Sequence, residues 1–358
     1  MQQPWVVLGV AGSKRTRGLM AAAAACGVPA TLLPWRDWLA DPATLDAHLQ
    51  QPCRFKIEPP GDDAQVHLAL LHEGCAQLGR APVAAPERGE LLAADAWFAG
   101  FSLALRRLAA QLQQLPQAQV VNAPDDILAM TDKLACQQRL QAAGVPTPPL
   151  LGPVRSHEHL LALLDEHRVD RVFVKARYGS SAAGVIAYRR NRRGQEQATS
   201  TAQLQADGRR LFNVKRTRSY QRPAEVRQLV DLVASQQAYA EAWIPKPRCG
   251  FGHFDLRVLA FAGRSAHRVA RLAQRPMTNL HLDSERVDPA QLLAESDLAA
   301  VDRTVERAAA AFAGSQVIGF DLVAQRGRVR VLEANAFGDL LPGLLWRGHD
   351  TYATAFAR

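Results

Sequence analysis

Val317-Ile318-Gly319-Phe320-Asp321-Leu322-Val323-Ala324, a short turn, and then VRVLEANAFGDLLPGL from Val329 to Leu344 close the chain with two apolar runs. Glu333 and Asn335 interrupt the second run, although a polar side chain on a core strand costs several kcal/mol unless something satisfies it. Two residues apart on a strand, they project from one face, roughly 7 Å from each other. The intervening Gln325-Arg326-Gly327-Arg328 reads as a hairpin turn, and closing it brings Asp321 beside Glu333 and Asn335. Two carboxylates and an amide oxygen facing one point repel each other when bare. They suit a hard cation such as Mg²⁺, or Mn²⁺ in its place, that shares its remaining positions with phosphates. The plainer alternative is a hairpin with one wet face, but the flanking residues are too apolar for a solvated surface.

At 358 residues the chain is long enough for two or three domains with cores of their own. Its longest small-apolar run, Ala21 to Cys26, is too short to span a bilayer. The apolar Val6–Gly12 segment precedes Lys14, Arg15 and Arg17, the reverse of a secretory signal. Five scattered cysteines, with no CxxC, read as plain thiols of a reducing compartment, so a cytoplasmic location is expected. The net charge is +9, and it is concentrated. Eleven basic residues lie between Arg189 and Arg227, opposed there only by Glu196, Asp207 and Glu225, which leaves +8 in that segment. Such localisation predicts one electropositive surface that meets an anion.

The chain opens with a buried-strand run at Trp5–Val10, a helix-like stretch to Ala25 and a short strand at Ala30–Leu33, a Rossmann-like β-loop-α-β start. Its GVAGSK segment lacks the spacing of a phosphate-binding Walker loop. Leu91–Leu112 predicts an amphipathic packing helix. A single helix is expected from about Asp125 through Leu140, stopping at Gly144, with prolines 146, 148 and 149 as a stiff connection. Strands are expected at Arg171–Lys175, Gln237–Ile244, Leu256–Ala262 and Ala266–Ala273, the last two as a hairpin around Gly263-Arg264. A long helix is expected from Glu295 to Phe312, and the polar stretch 191–208 reads as a mobile loop.

Three further features carry chemistry. Lys175 ends a buried strand and is followed by a loop containing Gly179, Ser180, Ser181 and Gly184. Such a loop offers backbone N–H groups to phosphate while the lysine supplies charge, unless it is only a flexible turn beside an edge lysine. Asp255 and Arg257 share one strand face, and Arg271 is followed by Met277-Thr278-Asn279.

In this order the residues resemble the ATP-grasp superfamily, particularly its glutathione-synthetase-like and ribosomal-protein glutamate-ligase-like members. Lys133, in Thr131-Asp132-Lys133-Leu134, looks like the first lysine of that family, and Lys175 with the 178–185 loop like its second lysine and lid. Glu241-Ala242-Trp243-Ile244 looks like the hinge whose backbone holds adenine. Asp255-Leu256-Arg257 matches the D-[IL]-R strand, Arg271 and Asn279 match the R…N pair near the phosphates, and Asp321, Glu333 and Asn335 match the magnesium ligands. The likeness covers roughly residues 120 to 345. Leu280-His281 stands where these relatives usually carry Gly-Gly, which puts the acceptor's identity in doubt.

The resemblance implies an α/β (α+β) chain, with a Rossmann-like domain over 1–118 followed by a two-part ATP-grasp fold. The two parts are a small lid domain over 119–240 and a C-terminal domain over 241–358 with the metal site. It further implies an Mg²⁺-dependent, ADP-forming ligase that joins a carboxylate to an amine or thiol through an acyl phosphate. In it Lys133 and Lys175 would offset phosphate charge, and Arg257 and Arg271 would stabilise the transferring group. Two other readings stay open. One is a kinase or nucleotide-binding regulator on the same fold. The other is a module that binds nucleic acid or an acidic partner through the 189–227 segment, where Tyr220 lies among Arg216, Arg218 and Arg222. No RNA-binding signature accompanies that segment.

Overall fold

The computed structural model describes residues 3–61, 63–179, 183–205, 208–250, 252–274, 285–338, 341 and 343–357, without the side chain of residue 215. Three sheets follow one another along the chain.

Every residue of β1 (Trp5–Gly9) is buried, as in the centre of a parallel sheet covered on both faces. It leads through α1 (Lys14–Ala25) to β2 (Ala30–Pro34), and β3 (Cys53–Ile57) lies parallel on its other side. With β4 (Ala118–Val120) the order is β2-β1-β3-β4. The helices α2 (Trp35–Ala40), α3 (Thr44–His48), α4 (Ala64–Gln77) and α5 (Ala94–Gln113) complete this unit, and the Rossmann-like opening stands as expected.

Two helices, α6 (Pro124–Thr131) and α7 (Lys133–Ala142), replace the single helix expected over 125–140. The break is chemical. Asp132 takes an extended backbone conformation (φ −81°, ψ 96°), and its carboxylate accepts the Ala135 N–H as the N-cap of α7. Aspartate favours that role over a helix interior.

The second sheet is antiparallel throughout: β5 (Leu150–Val154), β6 (Arg171–Ala176), β7 (Val185–Arg190), β8 (Glu196–Leu204), β9 (Leu211–Tyr220) and β10 (Ala238–Ala242), in the order β5-β10-β6-β7-β8-β9. Val172, Val174 and Ala176 point into a core shared with α8 (His157–Glu166) and α9 (Pro223–Ala234). The two-residue period sends Phe173 and Lys175 to the opposite face. The stretch expected as a loop over 191–208 contains β8, a correction. Ala198, Ser200 and Ala202 alternate inward there, and Ser200 donates to Val185 O at 2.7 Å, so a polar composition conceals a strand of small residues.

The third sheet comprises β11 (Arg248–Cys249), β12 (Gly252–Phe261), β13 (Arg264–Ala273), β14 (Glu285–Val287), β15 (Val317–Gln325) and β16 (Arg328–Asn335). Its order is β14-β13-β12-β15-β16, with β11 paired to β12. The β12–β13 turn falls one residue earlier than expected, at Ala262-Gly263, both with positive φ. One face packs on α10 (Glu295–Ala310) in a core that continues into the first sheet. Among the described residues, no helix is long and apolar enough to cross a membrane.

A buried ionic cluster joins the first unit to the end of the third sheet. Glu58, just past β3, accepts Arg15 Nε at 2.7 Å, and Lys56 Nζ lies 2.9 Å from its other oxygen, a charge contact that lacks hydrogen-bond geometry. Arg15 also donates to Phe337 O at 2.7 Å, two residues beyond β16. Burial alone would raise the Glu58 carboxyl, but Lys56 and Arg15 hold it below its ordinary value. Its contribution is therefore present above the unfolded value of about 4.3 and is lost as pH falls through the lower folded value. Glu58→Gln is expected to lower stability at neutral pH by about 3–5 kcal/mol, the cost of breaking a buried pair. The gap to the wild type should close on acidification, as read by denaturant unfolding at a series of pH values.

Candidate functional site

The hairpin of β15 and β16 turns at Arg326-Gly327, both with positive φ, as a two-residue turn of this kind demands. In its register Asp321 lies directly opposite Glu333, and Gly319 opposite Asn335. Leu332 is an extra residue in the ladder, and its carbonyl accepts Gln137 Nε2 of α7 at 2.6 Å. A bulge of this sort re-aims its neighbours.

Register extends the site across the sheet. Arg257 on β12 is opposite Asp321, and Asp255 is opposite Arg271 on β13. Directly paired residues share a face, so Arg271, Asp255, Arg257, Asp321 and Glu333 form one charged patch. Asp321 is gripped by both arginines: Arg257 binds through Nε and, at 3.0 Å, through a terminal nitrogen, and a terminal nitrogen of Arg271 lies at 3.1 Å. Burial would raise the Asp321 carboxyl, yet the two guanidiniums hold it well below the usual carboxylate range. Asp255 accepts Arg271 Nε at 2.8 Å and Lys246 Nζ at 3.0 Å.

The two lysines face this patch from other elements. Lys133, the first residue of α7, is ion-paired to Glu333. Lys175 on β6 pairs with the buried Glu241 of β10 at 2.5 Å. Burial raises the Glu241 carboxyl, and Lys175 opposes that rise. Asp132 ties helix to lid. It binds Arg177 through two bonds of 2.7 and 2.6 Å, while Lys133 N donates to Arg177 O at 3.0 Å. The lid loop leaves β6 directly beyond Arg177. At Gly184 (φ +66°) a Cβ would lie 2.7 Å from the Ala176 Cβ, and at Gly179 it would lie 2.5 Å from Ala183 O, so neither position has room for a side chain.

In the hinge segment, Ala242 N donates to Pro149 O at 2.8 Å, and the Trp243 ring lies 5.0 Å from that of Phe173. Ile244 follows, half-buried. Ser180, Ser181 and Asn279, with Met277-Thr278 and Leu280-His281, lie outside the described residues. Sequence reasoning missed Lys246, Asp132 and Arg177. The only signal for Lys246 is its place between Pro245 and Pro247 just after the hinge segment.

Solved structures with this arrangement of sheets identify the architecture. The ATP-grasp ligase PsnB, in complex with a minimal precursor, superimposes with a TM-score of 0.55 at 14% identity, over 95% of this chain and 92% of that one. The chain has the ATP-grasp fold. The D-cycloserine synthetase DcsG gives a TM-score of 0.53 at 14% identity over 94% of this chain and 92% of its own. Carboxyaminoimidazole ribonucleotide synthase from Aspergillus clavatus, complexed with ATP, gives 0.50 at 13% over 94% and 70%. The sequence matches no protein-family model and no curated protein.

The basic segment over 189–227 is partly neutralised by acids distant in sequence. Arg190 pairs with Asp165, Arg210 with Glu87 at 2.6 Å, and Arg227 with Glu158 at 2.8 Å. Arg216 and Arg218 on β9 are exposed.

The double role of Asp132 can be separated. Asp132→Ala, which removes both the helix cap and the Arg177 pair, is expected to destabilise the chain by about 2 kcal/mol. Asp132→Asn keeps an oxygen for the Ala135 N–H and should lose less than half of that, as read by denaturant unfolding at fixed ionic strength.

Proposed function

We propose that the chain is an ATP-dependent, ADP-forming ligase that joins a carboxylate to an amine or thiol through an acyl phosphate. The observation that carries this reading is that Lys133 pairs with Glu333 of the five-residue charged patch and that Lys175, from another element, lines one small cavity with Lys133 and Glu333. The solved neighbours of this fold support it, since they include an ATP-grasp ligase and an enzyme complexed with ATP. Domain limits near residues 118 and 240 belong to the same proposal.

The donor set fits a hard cation. Asp321 and Glu333 are opposed on adjacent strands, and Asn335 uses its amide nitrogen on Gly319 O at 3.4 Å, which leaves its oxygen for a ligand. Among the described residues no cluster of three or more His, Cys, Asp or Glu forms a metal site. That agrees with a set of two carboxylates and one amide completed by phosphate oxygens. Mg²⁺ held there would draw charge from the phosphates.

The chain's own residues would then act by positioning and charge. Lys133 and Lys175 would turn from Glu333 and Glu241 to the phosphates. The segment Glu241–Ile244 would hold the adenine by its backbone, and Gly179, Ser180, Ser181 and Gly184 would cover the phosphates with N–H groups. Arg257, Arg271 and Asn279 would face the group in transfer, with Asp255 fixing Arg271. A substrate carboxylate oxygen attacks the γ-phosphorus and ADP leaves. The nucleophile then attacks the acyl carbon, loses its proton and expels phosphate. No covalent enzyme intermediate is needed.

The exposed arginines of β9 would meet an acidic part of the substrate or partner, as PsnB binds a precursor peptide. Replacing Arg216, Arg218 and Arg222 by Gln should weaken binding of a polyanion such as polyglutamate at low salt, less so as salt rises, and leave ADP affinity unchanged.

The reading is tested by calorimetry and product analysis. Wild-type protein should bind ADP in a Mg²⁺-dependent manner, and Lys175→Ala should weaken it about ten- to a hundredfold, the worth of a charged hydrogen bond. With pooled carboxylates and amines, ADP and phosphate should appear together with a product that has lost water. A phosphorylated product alone would make the chain a kinase, and unchanged affinity after replacing both Asp321 and Glu333 by Ala would remove the metal site.

A further inference from the structure

Lys246 stands just beyond the hinge segment, with a proline on each side. The two rings restrict the local backbone, and Phe254 N donates to Pro247 O at 3.1 Å, so the lysine is held on a stiff connector against β12. Its side chain is 11% exposed, and burial lowers the pKa of its ammonium. A buried ammonium is costly unless it is paired and hydrogen-bonded, so the charge calls for a reason.

The reason lies in the order of contacts. Lys246 Nζ is 3.0 Å from one oxygen of Asp255, and the other oxygen accepts Arg271 Nε at 2.8 Å. The far end of Arg271 reaches Asp321 at 3.1 Å, where Arg257 also binds. Among the described residues, three cations thus share two carboxylates. With a cation and phosphate in the site, Asp321 would serve the cation and the far end of Arg271 would be free to meet phosphate. Asp255 is 2% exposed, and a carboxylate buried to that degree is costly when its counter-charge is drawn away. Lys246 supplies a counter-charge that does not move.

We infer that Lys246 is a positioning residue for phosphoryl transfer. It holds the Asp255 carboxylate in place, so that Arg271 stays anchored through Nε while its far end exchanges Asp321 for the terminal phosphate of the nucleotide. The inference deepens the ligase reading and rests on it. It also makes the hinge connector part of the reacting end of the site: one rigid segment carries both the residues set against adenine and the lysine that orders Arg271.

The test is selective affinity in the full-length chain. Lys246→Met, Lys246→Gln and Lys246→Arg are titrated with ADP and with AMPPNP in Mg²⁺ by calorimetry, and folding is checked by circular dichroism. In the Met and Gln variants AMPPNP affinity should fall about ten- to a hundredfold while ADP affinity stays within about threefold. The Arg variant should recover most of the difference. Equal losses for both nucleotides would give Lys246 a structural role only, and no loss for either would give it none. Both outcomes overturn the inference. If Lys246→Met does not fold, Lys246→Gln, which keeps a donor for Asp255, carries the comparison. Wild-type protein that binds neither nucleotide would instead overturn the ligase reading itself.

Discussion

The arrangement turns on one carboxylate shared by two guanidiniums. Asp321 sits on a central strand of the third sheet, directly across from Arg257 and within reach of Arg271 from one strand further. Backbone register fixes the first contact and side-chain length the second, so β12, β13 and β15 cannot slip without separating buried charges. A one-residue slip would also turn every apolar neighbour away from the core. The same pairing holds the buried Asp321 carboxyl well below its ordinary range.

The site without ligand is a set of provisional ion pairs. Lys133 rests on Glu333, Lys175 on Glu241, and Arg257 and Arg271 on Asp321. Buried cations need such partners, because an uncompensated charge in the interior costs several kcal/mol. Phosphate offers each of them a stronger, charge-assisted partner, so occupancy would exchange pairs instead of creating charges. Exchange holds the net cost down only if geometry survives it. That is what the Asp132 cap on α7, the Gln137 bond to the bulged Leu332 and the two glycines of the lid secure.

How much of this was legible depended on the range of the interactions. The hairpin carrying Asp321, Glu333 and Asn335 could be read because its turn and register are local. Lys133, Lys175, Asp255, Arg257 and Arg271 could be placed by motif order, and the structure brings them to one region. The helix break at Asp132 was hidden, since an aspartate between Thr131 and Lys133 does not reveal that its side chain folds back to cap and also binds Arg177, 45 residues on. Strand β8 was hidden by its glutamine- and threonine-rich composition, because its buried residues are Ala198, Ser200, Thr201 and Ala202, small and partly polar. Lys246, between Pro245 and Pro247, belongs to no motif. Its meaning appears only when the β12–β13 register puts Asp255 opposite Arg271.

The first unit takes part in both halves of the site through contacts of unequal strength. Arg15, gripped by the buried Glu58, holds Phe337 O just after the β16 strand, a contact built to persist. Toward the lid the contacts are lighter. Tyr178 stacks on Phe98 of α5 at 4.2 Å, Leu91 and Asn213 exchange single backbone bonds with Leu211 and Gly89 across the edge of β9, Ala94 N donates to Gln236 Oε1 at 3.2 Å, and the Arg210–Glu87 ion pair is exposed. An aromatic pair is worth about 0.5–1.5 kcal/mol and each such bond about 1 kcal/mol. Contacts of that size can be released thermally, whereas the ionic grip at Glu58 cannot without leaving buried charge unpaired. The geometry therefore assigns the fixed wall of the site to the first and third sheets. The seam between α5 and the second sheet is the weaker of the two joints.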